Sequence, residues 1–222
     1  MKELDRIWGK VKDRYSLKQQ QFRGQFEFGV APHEHGGPKT SVASAAEQIG
    51  FVFKSSNDWV FQATLDSFSY SQVGAYTGWE PFIAEAKILW SIYATVVKIK
   101  RAKRLALRYI NKFDIPQATI NLKHYFRTGP EIAPELPQTL AGFFMQSQLP
   151  LPEAEAVVLI NQTQVPPDKK DHLSLLLDID LFRLQNLGRT DEEMWATFEQ
   201  LRVWKNRVFE ACITDNTREL IR

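Results

Sequence analysis

The chain has a single cysteine, Cys212, which rules out an internal disulfide and leaves no thiolate pair for a zinc knuckle. A reducing, cytoplasmic setting is the expectation. Excess charge of one sign is also lacking: 28 Lys and Arg against 26 Asp and Glu give a formal net charge of +2. No global field therefore announces a nucleic-acid or membrane partner, and any electrostatic argument has to be local. No long uncharged apolar run exists. The most apolar helical stretch, Trp79–Val97, is interrupted by Glu80, Glu85 and Lys87, against the roughly 18 uncharged residues that a membrane span needs. No apolar signal-peptide core stands near the start. The sequence also lacks a Gly-x-Ser-x-Gly elbow, a His-Glu-x-x-His zinc helix and a glycine-rich phosphate loop. These absences point away from an enzyme and from any bound cofactor.

What is present is ample core material: 44% hydrophobic and 12% aromatic residues in a chain of 222, enough for one substantial domain or two small ones. Leu4, Ile7, Trp8 and Val11 at helical spacing predict a helix over residues 2–15. Phe22, Phe26 and Phe28 share a parity and predict a half-buried strand, followed by a Gly- and Pro-bearing loop over 32–41. A hairpin is expected over 48–72, turning at Ser55-Ser56-Asn57-Asp58. The later change of parity to Phe68 and Tyr70 is read as a bulge or bend within one strand. Trp79, Phe82, Ile83, Ala86, Trp90 and Tyr93 form a helical stripe, and Leu105, Leu107, Tyr109, Phe113 and Ile115 alternate as a strand. Pro116 closes that strand and is read as opening a helix towards Phe126.

Residues 127–147 hold three prolines in their first part and are read as a connecting segment with a short helix, dividing a half at 1–126 from one at 148–222, the whole packed as one globular unit. The second half holds a strand near 154–160, a Pro166-Pro167-Asp168 turn, and a strand whose Leu173, Leu175, Leu177, Ile179 and Leu181 share a face. The helix after it starts at Thr190-Asp191-Glu192-Glu193, a capping box with acids in the first turn. Trp79-x2-Phe82-x9-Ile92-Tyr93 and Trp195-x2-Phe198-x9-Val208-Phe209 have the same spacing. The fold class expected is α+β: two related halves, each a mainly antiparallel small sheet covered by a long helix.

Four groups of residues invite chemistry. His33-Glu34-His35 offers two imidazoles and a carboxylate, part of a metal site at most, and reads as a solvated loop. Asp178 and Asp180 lie two apart on one strand face, about 7 Å along the chain, a spacing that can hold Mg²⁺ in a nucleotide or phosphodiester enzyme. The plainer reading is the polar side of an amphipathic strand. Cys212 reads as a small buried hydrophobe. Finally, Lys98, Lys100, Arg101, Lys103, Arg104, Arg108 and Lys112 fall within fifteen residues that contain no acid, so this segment could neutralise phosphates while a nearby aromatic stacks on a base.

Two segments carry a resemblance. Residues 104–116, with Leu107-Arg108-Tyr109-Ile110-Asn111, and the C-terminal Phe209-Glu210-x3-Thr214-Asp215-x2-Arg218-Glu219 are similar to those of a sporadically distributed prokaryotic family of uncharacterised proteins, whose members share an LRYIN strand and an FE-x3-TD-x2-RE helix. The resemblance spans most of the chain and implies no catalytic site. Members usually begin with a strand ahead of the helix that here starts at Lys2. Its lack implies an unpaired sheet edge near 22–28, a place for a partner strand. A patchy distribution fits mobile or defence-associated loci. The expectation is therefore a non-catalytic protein-binding or regulatory subunit, antitoxin-like, in a bacterial defence or toxin-neutralising system. The alternatives are a nucleic-acid binder using 98–112 and a Mg²⁺ enzyme using Asp178 and Asp180.

Overall fold

Leu4, Ile7 and Val11, one turn apart, are the buried residues of helix α1 (Lys2–Val11). The helix stops short of the expected 2–15 because the N–H of Lys12 closes its last turn on Trp8, after which Tyr15 turns inward and is 1% exposed. The computed structural model describes residues 1–31, 39–99, 101–117 and 120–221, with side chains described outside 24–31 and 39–45. His33-Glu34-His35, most of the expected 32–41 loop, and Lys100 lie outside the described residues. Contacts divide the chain into two compact units, Met1–Lys100 and Arg101–Arg222. The fold is α+β with two antiparallel four-stranded sheets.

In the first unit, α1 is followed by β1 (Leu17–Ala31), β2 (Lys39–Lys54), β3 (Trp59–Thr64), β4 (Phe68–Gln72) and α2 (Trp79–Val97). The strands form a meander in chain order. The parity change at Phe68 is a correction to the expected bulge: β3 and β4 are separate strands paired antiparallel from Trp59–Gln72 to Ala63–Phe68. Three residues suffice for the reversal because Thr64 N–H donates to Ser67 O at 2.9 Å and its hydroxyl to Asp66 at 2.6 Å. Gly50 is required where β2 meets β3, since a Cβ there would stand 2.2 Å from Ala63 O. Leu4, Ile7 and Val11 from α1, Leu89 and Tyr93 from α2, and Phe51, Phe53, Phe61 and Ala63 from the sheet make one buried cluster. Two helices thus share this face, where one had been expected. β3 pairs with only residues 50–54 of β2, so most of the β1–β2 ladder runs on as a two-stranded ribbon, with a register shift between Gln21 and Phe22.

The second unit holds β5 (Leu105–Ile115), β6 (Phe144–Leu151), β7 (Ala156–Val165), β8 (Leu173–Arg183), α3 (Asp191–Cys212) and α4 (Asp215–Leu220). Its sheet order is β5-β8-β7-β6, and this pairing overturns the expected boundary. β5 bonds along its whole length to β8, so the division falls after Lys100 and the proline-bearing stretch is internal to the second unit. Pro116 opens no long helix: the only helical piece described before Phe126 is a turn at Leu122–His124. Residues 127–143 contain no short helix either and lead straight into β6. The reason is local bonding, since Phe126 forms a bridge with Ile213 and Arg127 N–H donates to Cys212 O at 2.8 Å, tethering this chain without a helix. Leu175, Leu177, Ile179 and Leu181 are buried on the side covered by α3, where Phe113 stacks on Phe209 with centroids 6.5 Å apart. The Thr190–Glu193 capping box forms as read.

Candidate functional site

The side of the second sheet facing away from α3 carries every charged residue singled out on β5 and β8. In the antiparallel register Arg108 stands opposite Asp180 and Ile110 opposite Asp178, with Asn161 of β7 next to Asp178 and Gln146 of β6 next to Asn161. Arg108 reaches one step diagonally. Its Nε donates to Asp178 Oδ1 at 2.8 Å and its Nη2 to Oδ2 at 2.7 Å, the two-pronged geometry that makes guanidinium–carboxylate pairs strong. Asn161 Nδ2 donates to the same Oδ2 at 2.9 Å, and Gln146 Nε2 donates to Asn161 Oδ1 at 2.7 Å. One hydrogen-bonded row therefore crosses all four strands. Its hydrogen bond to Asp178 raises the pKa of Arg108 further above the ordinary arginine value.

Asp180 is held separately. Arg104 Nη2 donates to its Oδ2 at 2.9 Å, and the Arg104 guanidinium lies over the Phe182 ring at 4.6 Å, while Oδ1 is buried with no hydrogen-bond partner among the described residues. Lys112 pairs with Asp168 and Asp114, and the bond to Asp168 raises its pKa. Asp114 is held below the usual carboxylate range, first by the Ser174 hydroxyl and then by Lys112.

The basic segment is thus divided. Arg104, Arg108 and Lys112 are neutralised by carboxylates of β8, β5 and the turn at Asp168. Lys98, at the left-handed end of α2 with φ 56°, and Arg101 and Lys103 are exposed and have no ion pair among the described residues. The two Asp expected as metal ligands lie on one face, but each is engaged by an arginine. Among the described residues no three His, Cys, Asp or Glu side chains gather as metal ligands would. No helix of the described residues is long and apolar enough to cross a membrane. Cys212 is 2% exposed, and burial pushes its thiol pKa up.

The segments that carry the resemblance are largely architectural. In the LRYIN strand, Leu107 is buried, Arg108 holds Asp178, Tyr109 lies under the Lys205 ammonium at 3.7 Å, and Asn111 Nδ2 donates to Leu177 O at 3.1 Å. Ile110 points out, 60% exposed. At the C-terminus the expected single helix is broken: α3 ends at Cys212 and α4 restarts at Asp215. Between them Thr214 N–H donates to Tyr125 O at 3.0 Å and Asn216 Nδ2 to His124 O at 3.1 Å, with the Thr217 hydroxyl also on Tyr125 O. Arg218 ties the two helices by pairing with Glu210 and, at 2.9 Å, with Asp215. The marker residues clamp the 122–127 segment.

Sequence reading gave no sign of Asn161 and Gln146, because only the strand register reveals that they continue the Arg108–Asp178 row. It also took Glu85 merely as an interruption of an apolar helix. In the first unit Glu85 is buried and accepts from Arg14 Nη1 at 2.6 Å and Tyr15 OH at 3.0 Å. Burial first, and the Glu85 charge second, push both Tyr15 and Tyr70 above the ordinary tyrosine range. No protein-family model matches the chain, and comparison with curated proteins and with solved structures returns no match.

Proposed function

We propose that the protein is a non-catalytic protein-binding or regulatory subunit, working in the cytoplasm, whose partner belongs to a toxin or defence system of its host. One observation carries this reading. On the second sheet the titratable groups are spent on one another, while large apolar side chains on that same side stay exposed: Ile110 at 60% and Phe144 at 69%. A neutral, hydrogen-bonded row flanked by exposed apolar side chains suits a protein surface better than a small charged substrate. The test is capture of tagged protein from its host after nuclease treatment, beside Ile110→Asp and Phe144→Asp variants. A stoichiometric partner lost from the variants supports the reading; a partner retained by both, or none at all, removes it.

A nucleic-acid role rests on a different observation: Lys98, Arg101 and Lys103 are exposed and have no ion pair among the described residues, with Lys100 between Lys98 and Arg101 in sequence. With Arg104, Arg108 and Lys112 already neutralised, the three described cations give a log K that should fall against log[salt] with a slope of about −2.7. Binding that ignores salt, or that survives charge reversal at Arg101 and Lys103, counts against it.

We also infer that the two units descend from a duplication. Each has a long helix directly after a strand, β4 then α2 and β8 then α3. In the first turns Trp79 and Phe82 pack at 6.0 Å and Trp195 and Phe198 at 5.4 Å.

A further inference from the structure

β5 is an outer strand of the second sheet: its partner is β8, and among the described residues no strand lies on its other side. Which of its backbone groups face outward follows from one bond. Gln164 N–H donates to Phe143 O, so the even-numbered residues of β7 face β6 and the odd-numbered ones face β8, because successive residues of an antiparallel strand bond to opposite neighbours. Carried through the unbroken registers of β7 on β8 and of β8 on β5, the alternation turns the odd-numbered residues of β5 to β8. The N–H and C=O of Ala106, Arg108, Ile110 and Lys112 therefore point away from the sheet, and no hydrogen bond to them is found among the described residues.

Exposed edges are usually blunted by proline, a bulge or a guarding charge. β6, the other edge of this sheet, has Pro150 at an outward-facing position by the same alternation. β5 has no proline and keeps one register on β8 from Leu105 to Ile115. Its two cations are engaged by acids outside the strand, Arg108 by Asp178 of β8 and Lys112 by Asp168 in the turn before β8. At the middle of the edge stands Ile110, 60% exposed. Just before the strand, Arg101 and Lys103 are exposed and have no ion pair among the described residues.

We propose that β5 takes up an extended segment of a protein partner as an added strand, antiparallel to β5, with an apolar side chain beside Ile110 and, following it, acidic residues beside Lys103 and Arg101. This rests on the protein-binding reading above and names the mode and the chemistry of the partner's segment. A row of unpaired N–H and C=O groups is satisfied by another extended backbone. The apolar contact follows from Ile110, which an incoming strand covers. The acids follow from charge complementarity: the cations within β5 already have their carboxylates, so uncompensated positive charge lies at the entry to the strand. An antiparallel segment, the pairing used throughout this sheet, reaches that entry with its C-terminal residues.

Fluorescence anisotropy on the full chain tests it, with a labelled peptide long enough to lie along Leu105–Ile115, in which threonine and valine alternate and the C-terminal residues are glutamate. This peptide is expected to bind, and one ending in lysines to bind at least about tenfold more weakly. R101E/K103E should reverse that order. A106P and I110P, which remove outward N–H groups and leave the β8 ladder intact, should each weaken binding by about fivefold or more, while A106S should not. In amide exchange the bound peptide should slow Ala106, Arg108, Ile110 and Lys112, a readout that depends on no variant's folding. A glutamate peptide that does not bind, equal binding of the two peptides, binding unchanged in both proline variants, or unchanged exchange at those four amides would each overturn the proposal. So would a single-stranded oligonucleotide that binds in place of the peptide, equally to wild type and A106P, and is lost from R101E/K103E, which assigns these cations to phosphate. If the peptide fails while Ile110→Asp still loses a host partner, this mode falls and the protein-binding reading stands.

Discussion

Replacing Asp178 by alanine would remove the centre of the row that crosses the second sheet. The carboxylate is 10% exposed and accepts two bonds from Arg108 and one from Asn161. Removing one partner of a fully buried ion pair costs about 3–5 kcal/mol because the other charge is left unpaired. Arg108 is 56% exposed in its side chain, so water recovers much of its solvation and a cost of about 2 kcal/mol is expected. For a unit of this size that lowers Tm by about 8 °C, read by circular dichroism at neutral pH. The double variant R108M/D178L, which removes both charges and keeps the volume, should recover most of the loss. A metal site makes the opposite prediction. If Asp178 and Asp180 were carboxylates held together for a cation, alanine at either would relieve repulsion and raise Tm in the metal-free protein. A Tm that rises in D178A, or a wild-type Tm that climbs by several degrees in about 10 mM Mg²⁺, would refute the structural account of this pair.

Arg183 is 6% exposed and donates to Ala154 O at 2.7 Å and Gln200 Oε1 at 2.8 Å; R183A should cost about 2–4 kcal/mol, seen as a lower urea midpoint. Glu85→Gln should lose about 1–2 kcal/mol, since the amide keeps one acceptor for Tyr15 or Arg14 but places a donor against the other; an unchanged Tm would count against the buried cluster. Burial, with Arg202 adding, lowers the Lys205 pKa to about 8. The folded state then releases its proton before the unfolded state does, so stability should rise between about pH 8 and pH 10, and K205M should abolish the rise. Above pH 10 stability should fall instead, because burial pushes Tyr93 up to about 12 and raises Tyr15 and Tyr70 as well, and the unfolded state loses those protons first.

Elements with one clean period were legible in the sequence. α2 spans Trp79–Val97, β5 spans Leu105–Ile115, and α3 opens on its capping box, because each is set by side chains that alternate or recur towards one buried face. Where the outcome depends on what a strand pairs with, local pattern failed. The parity change at Phe68 is equally consistent with a bulge and with a hairpin, and only the Thr64–Ser67 bonds decide for the hairpin. β6 was missed because, as an edge strand, its exposed residues 144, 146, 148, 149 and 150 leave little apolar alternation. The boundary was misplaced for a similar reason: prolines mark irregular chain, but a division is set by long-range pairing, here β5 on β8.

The same distinction bears on the charged residues. A run of cations without acids reads as a phosphate-binding face only while the neighbouring strand is unknown. Once β8 lies beside β5, Asp178 and Asp180 fall within reach of Arg108 and Arg104, and two apparent sites in sequence become two neutral ion pairs. The residue these pairs do not use is Ile110, which sits in the LRYIN segment between Tyr109 and Asn111, both engaged in packing or bonding. A side chain that the fold leaves 60% exposed in a segment otherwise devoted to the fold costs hydrophobic free energy in the free protein, about 1 kcal/mol or more for an isoleucine. A partner that covered it would recover that cost, which is why Ile110, and not the cations around it, is the first residue to change in testing the proposed protein-binding surface.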